Sequence, residues 1–227
     1  MKILVCISKT PDTTAKIGFV DGGVKYNEDG ITFIMNPYDE WYALVRALEI
    51  KEKQGGTVTV LNVGDASNDI IIRKALAIGA DDAIRVDATP KSAEYVARQI
   101  AHVAQQKGFD MIFMGKETID YNGSEVGPMV AEVLDYDFFG FVSNLQIEGD
   151  QKMISREIEG GVEIISTTNP AVISAAKGLA EQRIPNMQGI MMSKRKPLEV
   201  VAPIEVGEKV KLVVHTMPEP KKGVKLI

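Results

Sequence analysis

The sequence predicts an α/β protein: a parallel sheet with helices on both faces, added antiparallel hairpins and a C-terminal arm. Short β-branched runs alternate with helix-period segments up to Leu134, an order typical of parallel strands joined by right-handed crossovers. Beyond Leu134, strand-like runs follow one another with only turn residues between them, which favours antiparallel hairpins.

The first elements are defined by their apolar spacing and by their end signals. The apolar run Ile3–Ile7 predicts a buried first strand over Lys2–Ser8. A helix is predicted over Asn36–Gln54, because Asn36 suits the N-cap and Pro37 the first helical position. Further strands are predicted at Thr57–Val63, Ala83–Val86 and Met111–Met114, and helices from a Ser67 cap to Ala77, at Ser92–Lys107 and at Val126–Leu134.

The second half predicts hairpins and then an arm. Turn residues separate four strand-like runs, and a smaller early hairpin is predicted around Asp21-Gly22-Gly23. The last stretch has four prolines and scattered apolar residues, so we expect residues 1–196 to form the domain and 197–227 an arm that packs on another subunit. The four runs are Phe138–Ile147, Met153–Ile158, Val162–Thr167 and Ala171–Ala175.

Composition excludes several classes of protein. The 227 residues are 45% apolar and 25% charged, which suits a globular domain. A net charge of −5 argues against nucleic-acid binding, which needs a basic surface. The single Cys6 lies in an apolar run and is expected to be a buried small side chain. With no metal-ligand spacing, no leader and no membrane-length apolar run, we expect a cytoplasmic protein without metal or catalytic residues.

The loop Gly115–Gly127 is the most informative candidate site. It leaves a predicted strand and enters a predicted helix, and ligands of such sheets bind beyond the carboxyl ends of the strands. Gly123 allows close backbone approach, and Ser124 with the free N–H groups of the helix start suits a phosphate. An ordinary glycine loop with a serine cap explains these residues equally well.

Four stretches, in this order and spacing, make the chain resemble the beta subunit of electron transfer flavoproteins, collinearly up to about Val200. The first opens a helix, the second is the candidate loop, the third precedes a strand and the fourth precedes a basic run. They are Met35–Asp39, Gly115–Asp120 with Gly127, Arg156–Gly161 ahead of Asn169–Val172, and Gln182–Met187 ahead of Ile190-Met191.

The resemblance implies a Rossmann-like, adenine-nucleotide-binding subunit of a heterodimer. The alpha subunit would hold most of the redox-active FAD, and this chain would hold AMP. Electrons would come from acyl-CoA dehydrogenases, as in fatty acid β-oxidation, and pass to a quinone oxidoreductase. Carried over by position, the nucleotide would be lined by Cys6, Asn36, Pro37, Tyr38, Asp39, Val63, Glu117, Thr118, Ile119, Asp120, Tyr121, Asn122, Gly123, Ser124, Glu125, Val126 and Gly127.

Two further roles follow from the same resemblance. Tyr38 matches an aromatic residue that lies against the flavin of the alpha subunit, whereas Thr13 stands where some members have tyrosine. Met187 stands where a compared member has leucine in the loop that anchors dehydrogenases, and a core methionine stays open as the alternative. That docking loop would comprise Gln182, Arg183, Ile184, Pro185, Asn186, Met187, Gln188, Gly189, Ile190 and Met191.

Two other interpretations stay open. In electron-bifurcating members a second FAD replaces AMP and NADH is the donor, and the Lys9–Thr13 stretch leans towards them. Tyr121, however, replaces a glycine of their usual loop and is expected to narrow the room for a second flavin, which favours AMP. A stand-alone ATP-binding or ATP-hydrolysing protein of related fold is disfavoured, because a Ser-Gly-Gly-x-Asp-Ser motif is missing.

Overall fold

The computed structural model describes residues 1–220 and residue 223. Its α-helices are α1 (Asp39–Gln54), α2 (Asp69–Ile78), α3 (Ala93–Lys107), α4 (Val126–Leu134) and α5 (Met187–Ser193). Its strands are β1 (Lys2–Cys6), β2 (Lys9–Pro11), β3 (Phe19–Val20), β4 (Lys25–Tyr26), β5 (Phe33–Met35), β6 (Thr57–Gly64), β7 (Asp82–Asp87), β8 (Met111–Gly115), β9 (Asp137–Glu148), β10 (Gln151–Ile158), β11 (Gly161–Thr167), β12 (Ala171–Ala175) and β13 (Leu198–Val201).

Nine strands form one sheet in the order β11-β10-β9-β12-β8-β1-β6-β7-β13. All neighbours from β9 to β13 in this order are parallel, whereas β10 runs antiparallel to β9 and β11. In chain order, β6 and then β7 lie on one side of β1, and β8 lies on the other side of β1. The strand order therefore reverses between β1 and β8, which is where such sheets bind ligands.

Helices cover both faces of the sheet, as the sequence predicted. Residues of α1 and α2 share one core with Ile3 and Val5, and residues of α3 and α4 share a second core with Leu4 and Cys6. Successive side chains of a strand point to opposite faces, so β1 contributes to both cores along its length. This explains why β1 is apolar at every position from Ile3 to Cys6.

The predicted hairpins are confirmed for β9, β10 and β11 but not for β12. Ala171–Ala175 was expected to be part of the antiparallel additions, and it instead lies parallel between β9 and β8. All five of its residues are buried, which is the pattern of a strand covered on both faces. The connection through Asn169-Pro170 therefore crosses β10 and β9 to reach β12, and it does not form a tight hairpin with β11.

Two predicted helix starts are wrong. Helix α1 begins at Asp39 and not at Asn36, and Tyr38 occupies the position before it. Ser67 does not cap α2; instead the Asp65 carboxylate accepts the Ser67 N–H at 2.8 Å and starts a short 3₁₀ turn that leads into α2. Asp65 is the better cap because a carboxylate accepts backbone N–H groups more strongly than a hydroxyl.

The stretch after Pro197 contributes to the main sheet. Leu198–Val201 pairs in parallel with β7, so the expectation that no core element lies beyond residue 196 is wrong. The buried Gln99 amide then holds the next turn, accepting the Ile204 N–H at 2.9 Å and donating to the Ile204 carbonyl at 2.8 Å. Contact of the arm with a partner subunit stays a prediction, and residues 221, 222 and 224–227 lie outside the described residues.

The early hairpin is confirmed and meets this arm. Strands β3 and β4 pair antiparallel around Asp21–Gly23. The His215 ring stacks on Phe19 with centroids 4.6 Å apart, and the His215 N–H donates to the Gly23 carbonyl at 2.8 Å.

Among the residues described, no helix has both the length and the apolar character needed to cross a membrane.

We expect Gln99→Leu to detach the arm at Ile204. The change leaves the Ile204 N–H and carbonyl without partners, at a cost of about 1–3 kcal/mol. Urea unfolding measures the loss of stability, and hydrogen exchange of the Ile204 amide reports the local opening. Gln105→Leu, an exposed position of the same helix, is the control. Unchanged protection of Ile204 in the Gln99 variant would contradict this role.

Candidate nucleotide-binding site

The predicted site residues surround the carboxyl ends of β1, β6 and β8. Cys6 ends β1 and Val63 is the last residue but one of β6; both are buried in the core on the α3 and α4 side. Asn36–Asp39 approach from the α1 side, and the Gly115–Gly127 loop passes from one side to the other. The fold therefore gathers segments that are far apart in sequence around the point where the strand order reverses.

Asn36 is the residue that ties these segments together. Its side chain is fully buried, and its backbone N–H donates to the Ser8 carbonyl at 2.9 Å. Its Nδ2 donates to the Glu117 carbonyl at 2.9 Å, and its Oδ1 accepts the Ile119 N–H at 3.0 Å. The amide expected to cap α1 instead fixes the backbone of the candidate loop.

Two glycines let this loop fit tightly. A Cβ on Gly115 would lie 2.9 Å from Glu40 Cγ, and one on Gly127 would lie 2.9 Å from a ring carbon of Phe138. Real Cβ atoms do not approach so closely, so both ends of the loop require glycine. The first turn of α4 can thus lie directly against the Phe138 ring of β9.

The middle of the loop presents backbone to solvent. Asp120–Glu125 are exposed, and Asn122 and Ser124 have φ values of +49° and +53°. The Asn122 N–H donates to the Thr118 carbonyl at 2.9 Å. Glu125 has a φ of −98°, and a change in the sign of φ between neighbours turns successive N–H groups towards one side, as in anion-binding turns.

Tyr38 holds a strained backbone at the start of α1. Its φ and ψ are +64° and −95°, a region that costs an aromatic residue about 1–3 kcal/mol. Its side chain is 59% exposed, so burial of the ring does not offset this cost within the chain. Backbone strain of this kind is concentrated at functional sites.

A cleft of about 270 Å³ opens beside Tyr38. It includes five residues of the predicted lining and Lys116 of the predicted loop, and it adds Tyr42 and Lys177, which the sequence did not predict. Lys177 follows β12, and recognising β12 as a parallel strand would have placed its end at this edge. The lining residues are Pro37, Tyr38, Asp39, Tyr42, Lys116, Glu117, Ile119 and Lys177.

Two neighbouring acids of α1 have raised pKa values. Burial raises the pKa of Asp39 to about 6, with Glu117 adding to the rise and Lys116 opposing it. Burial likewise raises the pKa of Glu40 to about 8, because the Ser8 N–H, donated to Glu40 Oε2 at 2.7 Å, offsets only part of the cost. Glu40 therefore carries a proton near neutral pH, which lowers the negative charge beneath the loop.

Two residues of the predicted set behave differently from the rest. Burial raises the pKa of the Cys6 thiol, so Cys6 stays a neutral apolar group, as the sequence suggested. Tyr121 is 77% exposed and lies outside the lining of the cleft. The expectation that its side chain narrows the room for a second flavin stays a prediction.

The predicted docking segment, residues 182–191, is anchored at its start to α1. Trp41 Nε1 donates to the Arg183 carbonyl at 3.1 Å. The Arg183 guanidinium forms two hydrogen bonds to Glu52, at 2.6 and 3.1 Å. Arg183 is thus engaged within the chain, and α1 supports both the cleft and the docking segment.

The rest of the segment forms α5, which packs on α2. The Asn186 side chain caps α5 by accepting the Gly189 N–H at 2.7 Å, and a Cβ on Gly189 would lie 2.3 Å from the Ala77 carbonyl oxygen. Arg73 of α2 donates to the Ser193 and Lys196 carbonyls at 2.8 and 2.7 Å. The Lys196 ammonium in turn donates to carbonyls at the end of α2. Of the three basic residues 194–196, only Lys194 and Arg195 are therefore exposed.

Comparisons with known proteins agree with this geometry. Residues 23–206 match the family model described as the electron transfer flavoprotein domain. The chain is 36% identical to electron transfer flavoprotein subunit beta of Bacillus subtilis, over 100% of this chain and 91% of that protein. It is 34% identical to the human protein of that name, over 91% and 83%, and 33% identical to protein FixA of Azotobacter vinelandii, over 91% and 76%.

We expect Glu40→Gln to change how stability depends on pH. Unfolded Glu40 releases its proton near 4.5 and folded Glu40 near 8, so between these values the unfolded state binds fewer protons and wild-type stability falls as pH rises. Glutamine cannot ionise, so the free energy of unfolding of the variant rises relative to that of the wild type by roughly 1.4 kcal/mol for each pH unit within this window.

Urea unfolding at pH 5, 6, 7 and 8 measures this difference. Glu132→Gln, at an exposed position of α4, is the control and is expected to follow the wild-type curve. Parallel curves for the wild type and the Glu40 variant would show that Glu40 does not retain its proton in the folded chain.

Proposed function

This chain belongs to the electron transfer flavoprotein family as a beta subunit, an electron-transfer component that pairs with an alpha subunit, and we propose that it binds AMP at the β1–β8 switch point. In this proposal AMP is structural: it fills the site and stabilises the folded subunit by binding only to the native state. The redox-active FAD is held mainly by the alpha subunit.

The observation that carries the proposal is the pair of hydrogen bonds by which the Asn36 side chain holds the Gly115–Gly127 loop. Both hydrogen-bonding ends of a buried amide are used to fix the loop backbone, and the loop then leads into the N-terminus of α4. A helix N-terminus with free N–H groups suits a phosphate. The strand ends at Cys6 and Val63 provide an apolar wall suited to an adenosine.

A mononucleotide suits this site better than a second FAD. The loop sequence Tyr121–Glu125 departs from the pattern usual in bifurcating members. The Lys9–Thr13 stretch favours the second candidate, a bifurcating subunit in which FAD replaces AMP and NADH is the donor. A stand-alone ATP-hydrolysing protein is set aside, because the chain belongs to this family.

The residues of the cleft are proposed to meet the flavin of the alpha subunit. When bound, FAD supplies the capacity to accept and release electrons, and the protein contributes position and electrostatics. The exposed ring of Tyr38 is placed to lie against an aromatic surface, and Lys116 and Lys177 add positive charge beside it. Asp39 and Glu117 line the same cleft, and the Lys116 ammonium lies 3.4 Å from the Glu117 carboxylate, so the acids and lysines there offset one another.

Electron donors are proposed to dock on residues 182–191. The segment is held rigidly on α1 and α2, and its exposed Ile184, Met187 and Met191 form an apolar surface next to Lys194. Burial of an apolar anchor gives affinity, and nearby charge assists encounter. Acyl-CoA dehydrogenases are the proposed donors and a quinone oxidoreductase the proposed acceptor.

We expect the purified heterodimer to release one AMP and one FAD, measured by mass spectrometry and flavin absorbance. Removal of AMP is expected to lower the melting temperature and to leave flavin reduction intact. Asn36→Ala should weaken AMP binding by about tenfold or more, because it frees the loop, whereas Asn144→Ala, at an exposed position of β9, should not. Two FAD per heterodimer would favour the bifurcating candidate instead.

We expect Met187→Ala to raise the KM for the reducing dehydrogenase several-fold without changing kcat. An anchor residue contributes about 1–2 kcal/mol to such an interface, and the change does not touch the cleft. Steady-state reduction of the heterodimer by a substrate-reduced acyl-CoA dehydrogenase measures both constants. Met217→Ala, an exposed methionine on the arm, is the control, and equal KM values for the two variants would place docking elsewhere.

A further inference from the structure

Helix α5 exposes a group of methionines. Met187 is 74% exposed, Met191 68% and Met192 48%. Methionines usually fill gaps in a core, and Met35 and Met111 of this chain are fully buried. Three exposed methionines within six residues therefore need an explanation other than packing.

The backbone of α5 explains how these side chains stay accessible. Arg73 of α2 donates to the Ser193 carbonyl at the C-terminal end of the helix, and Gly189 lies against the Ala77 carbonyl of α2. Asn186 caps the N-terminal end of the helix from within the same segment. The face that packs on α2 is thus occupied by glycine. Met187 and Met191 are four residues apart, so they lie on one face of the helix.

We propose that Met187 and Met191 are a reversible oxidation site that weakens docking of the electron donor when it is oxidised. The inference rests on the proposed docking function of residues 182–191. The oxidant is a hydroperoxide, with hydrogen peroxide as the simplest member. Exposure selects these side chains over the buried methionines, because the peroxide must reach the sulfur.

The chemistry is a two-electron oxygen transfer. The thioether sulfur attacks one peroxide oxygen, the O–O bond breaks, the new S–O bond forms, and the second oxygen leaves as water after proton transfer. Methionine becomes methionine sulfoxide and hydrogen peroxide becomes water. A methionine sulfoxide reductase reverses the change with two thiols, which become a disulfide as water is released.

Oxidation changes the docking surface where apolar contact matters. Sulfoxide is polar and its oxygen accepts hydrogen bonds, so burial under a donor protein would leave that oxygen without a partner. The cleft and the candidate loop contain no residue of α5. The expected result is weaker docking with an unchanged cofactor site.

The test uses the flavin-loaded heterodimer. The complex is treated with hydrogen peroxide, the peroxide is removed with catalase and desalting, and peptide mass spectrometry maps the sulfoxides. Steady-state reduction by a substrate-reduced acyl-CoA dehydrogenase then gives KM and kcat, and reduction by dithionite reports the flavin alone. Repair with a mixture of the two sulfoxide reductases completes the cycle.

We expect sulfoxide to form at Met187 and Met191 before Met35 and Met111. The KM should rise by about tenfold or more with kcat and dithionite reduction unchanged, and repair should restore it. The KM of the Met187→Leu/Met191→Leu variant should be the same before and after peroxide, whereas the KM of Met217→Leu should rise with peroxide as that of the wild type does.

Two results would overturn the inference. Sulfoxide at both positions with an unchanged KM would mean that oxidation does not control docking, and earlier oxidation of the buried methionines would mean that exposure does not select the site. Met187→Ala separates these failures from failure of the proposed function. If Met187→Ala raises the KM but oxidation does not, the docking proposal holds and control by oxidation is wrong. If Met187→Ala leaves the KM unchanged, the docking proposal itself is wrong.

Discussion

The candidate site depends on the buried amide of Asn36. Its backbone joins the segment after β1, and its side chain holds the loop after β8 at both a donor and an acceptor. An amide in a site closed to water is stable only when these partners are present, since an unpaired polar group is costly there. The contact therefore fixes the loop in one conformation before a ligand binds.

Helix α1 links the cleft to the proposed docking surface. Its N-terminus contributes Asp39 to the cleft, and Trp41 in its first turn holds the backbone of Arg183. Further along, Glu52 binds the Arg183 side chain. A donor seated on this segment would thus contact an element that also forms the wall of the cleft. In the proposed function, this arrangement would hold the donor in a fixed relation to the flavin.

Two exposed aromatic residues with positive φ lie beside the cleft. Tyr38 has a φ of +64° and Phe141 one of +58°, and neither ring is buried within the chain. Phe141 lies at an irregularity in the pairing of β9 with β12, and the Lys116 ammonium is 5.7 Å from its ring centroid. Both conformations oppose local preference. Backbone strain at these two exposed aromatic residues is consistent with a surface that binds a partner.

The sequence by itself determined most of the elements and the edge of the sheet where the candidate site lies. Apolar periodicity located the strands and helices to within a few residues, because it reports burial of a face directly. The loop Gly115–Gly127 stood out because glycine at a strand-to-helix turn has a local backbone reason.

Only the tertiary structure decided the role of Asn36, the parallel direction of β12, the place of Lys177 and the pairing of β13. Each depends on a contact between distant residues: Asn36 resembled a helix cap because its partners lie more than 80 positions away, and β12 resembled a hairpin strand because direction is set by its neighbours and not by its own residues. Hydrogen bonds and strand neighbours of this kind leave no periodic signal in the chain, so they become visible only once the fold has brought them together.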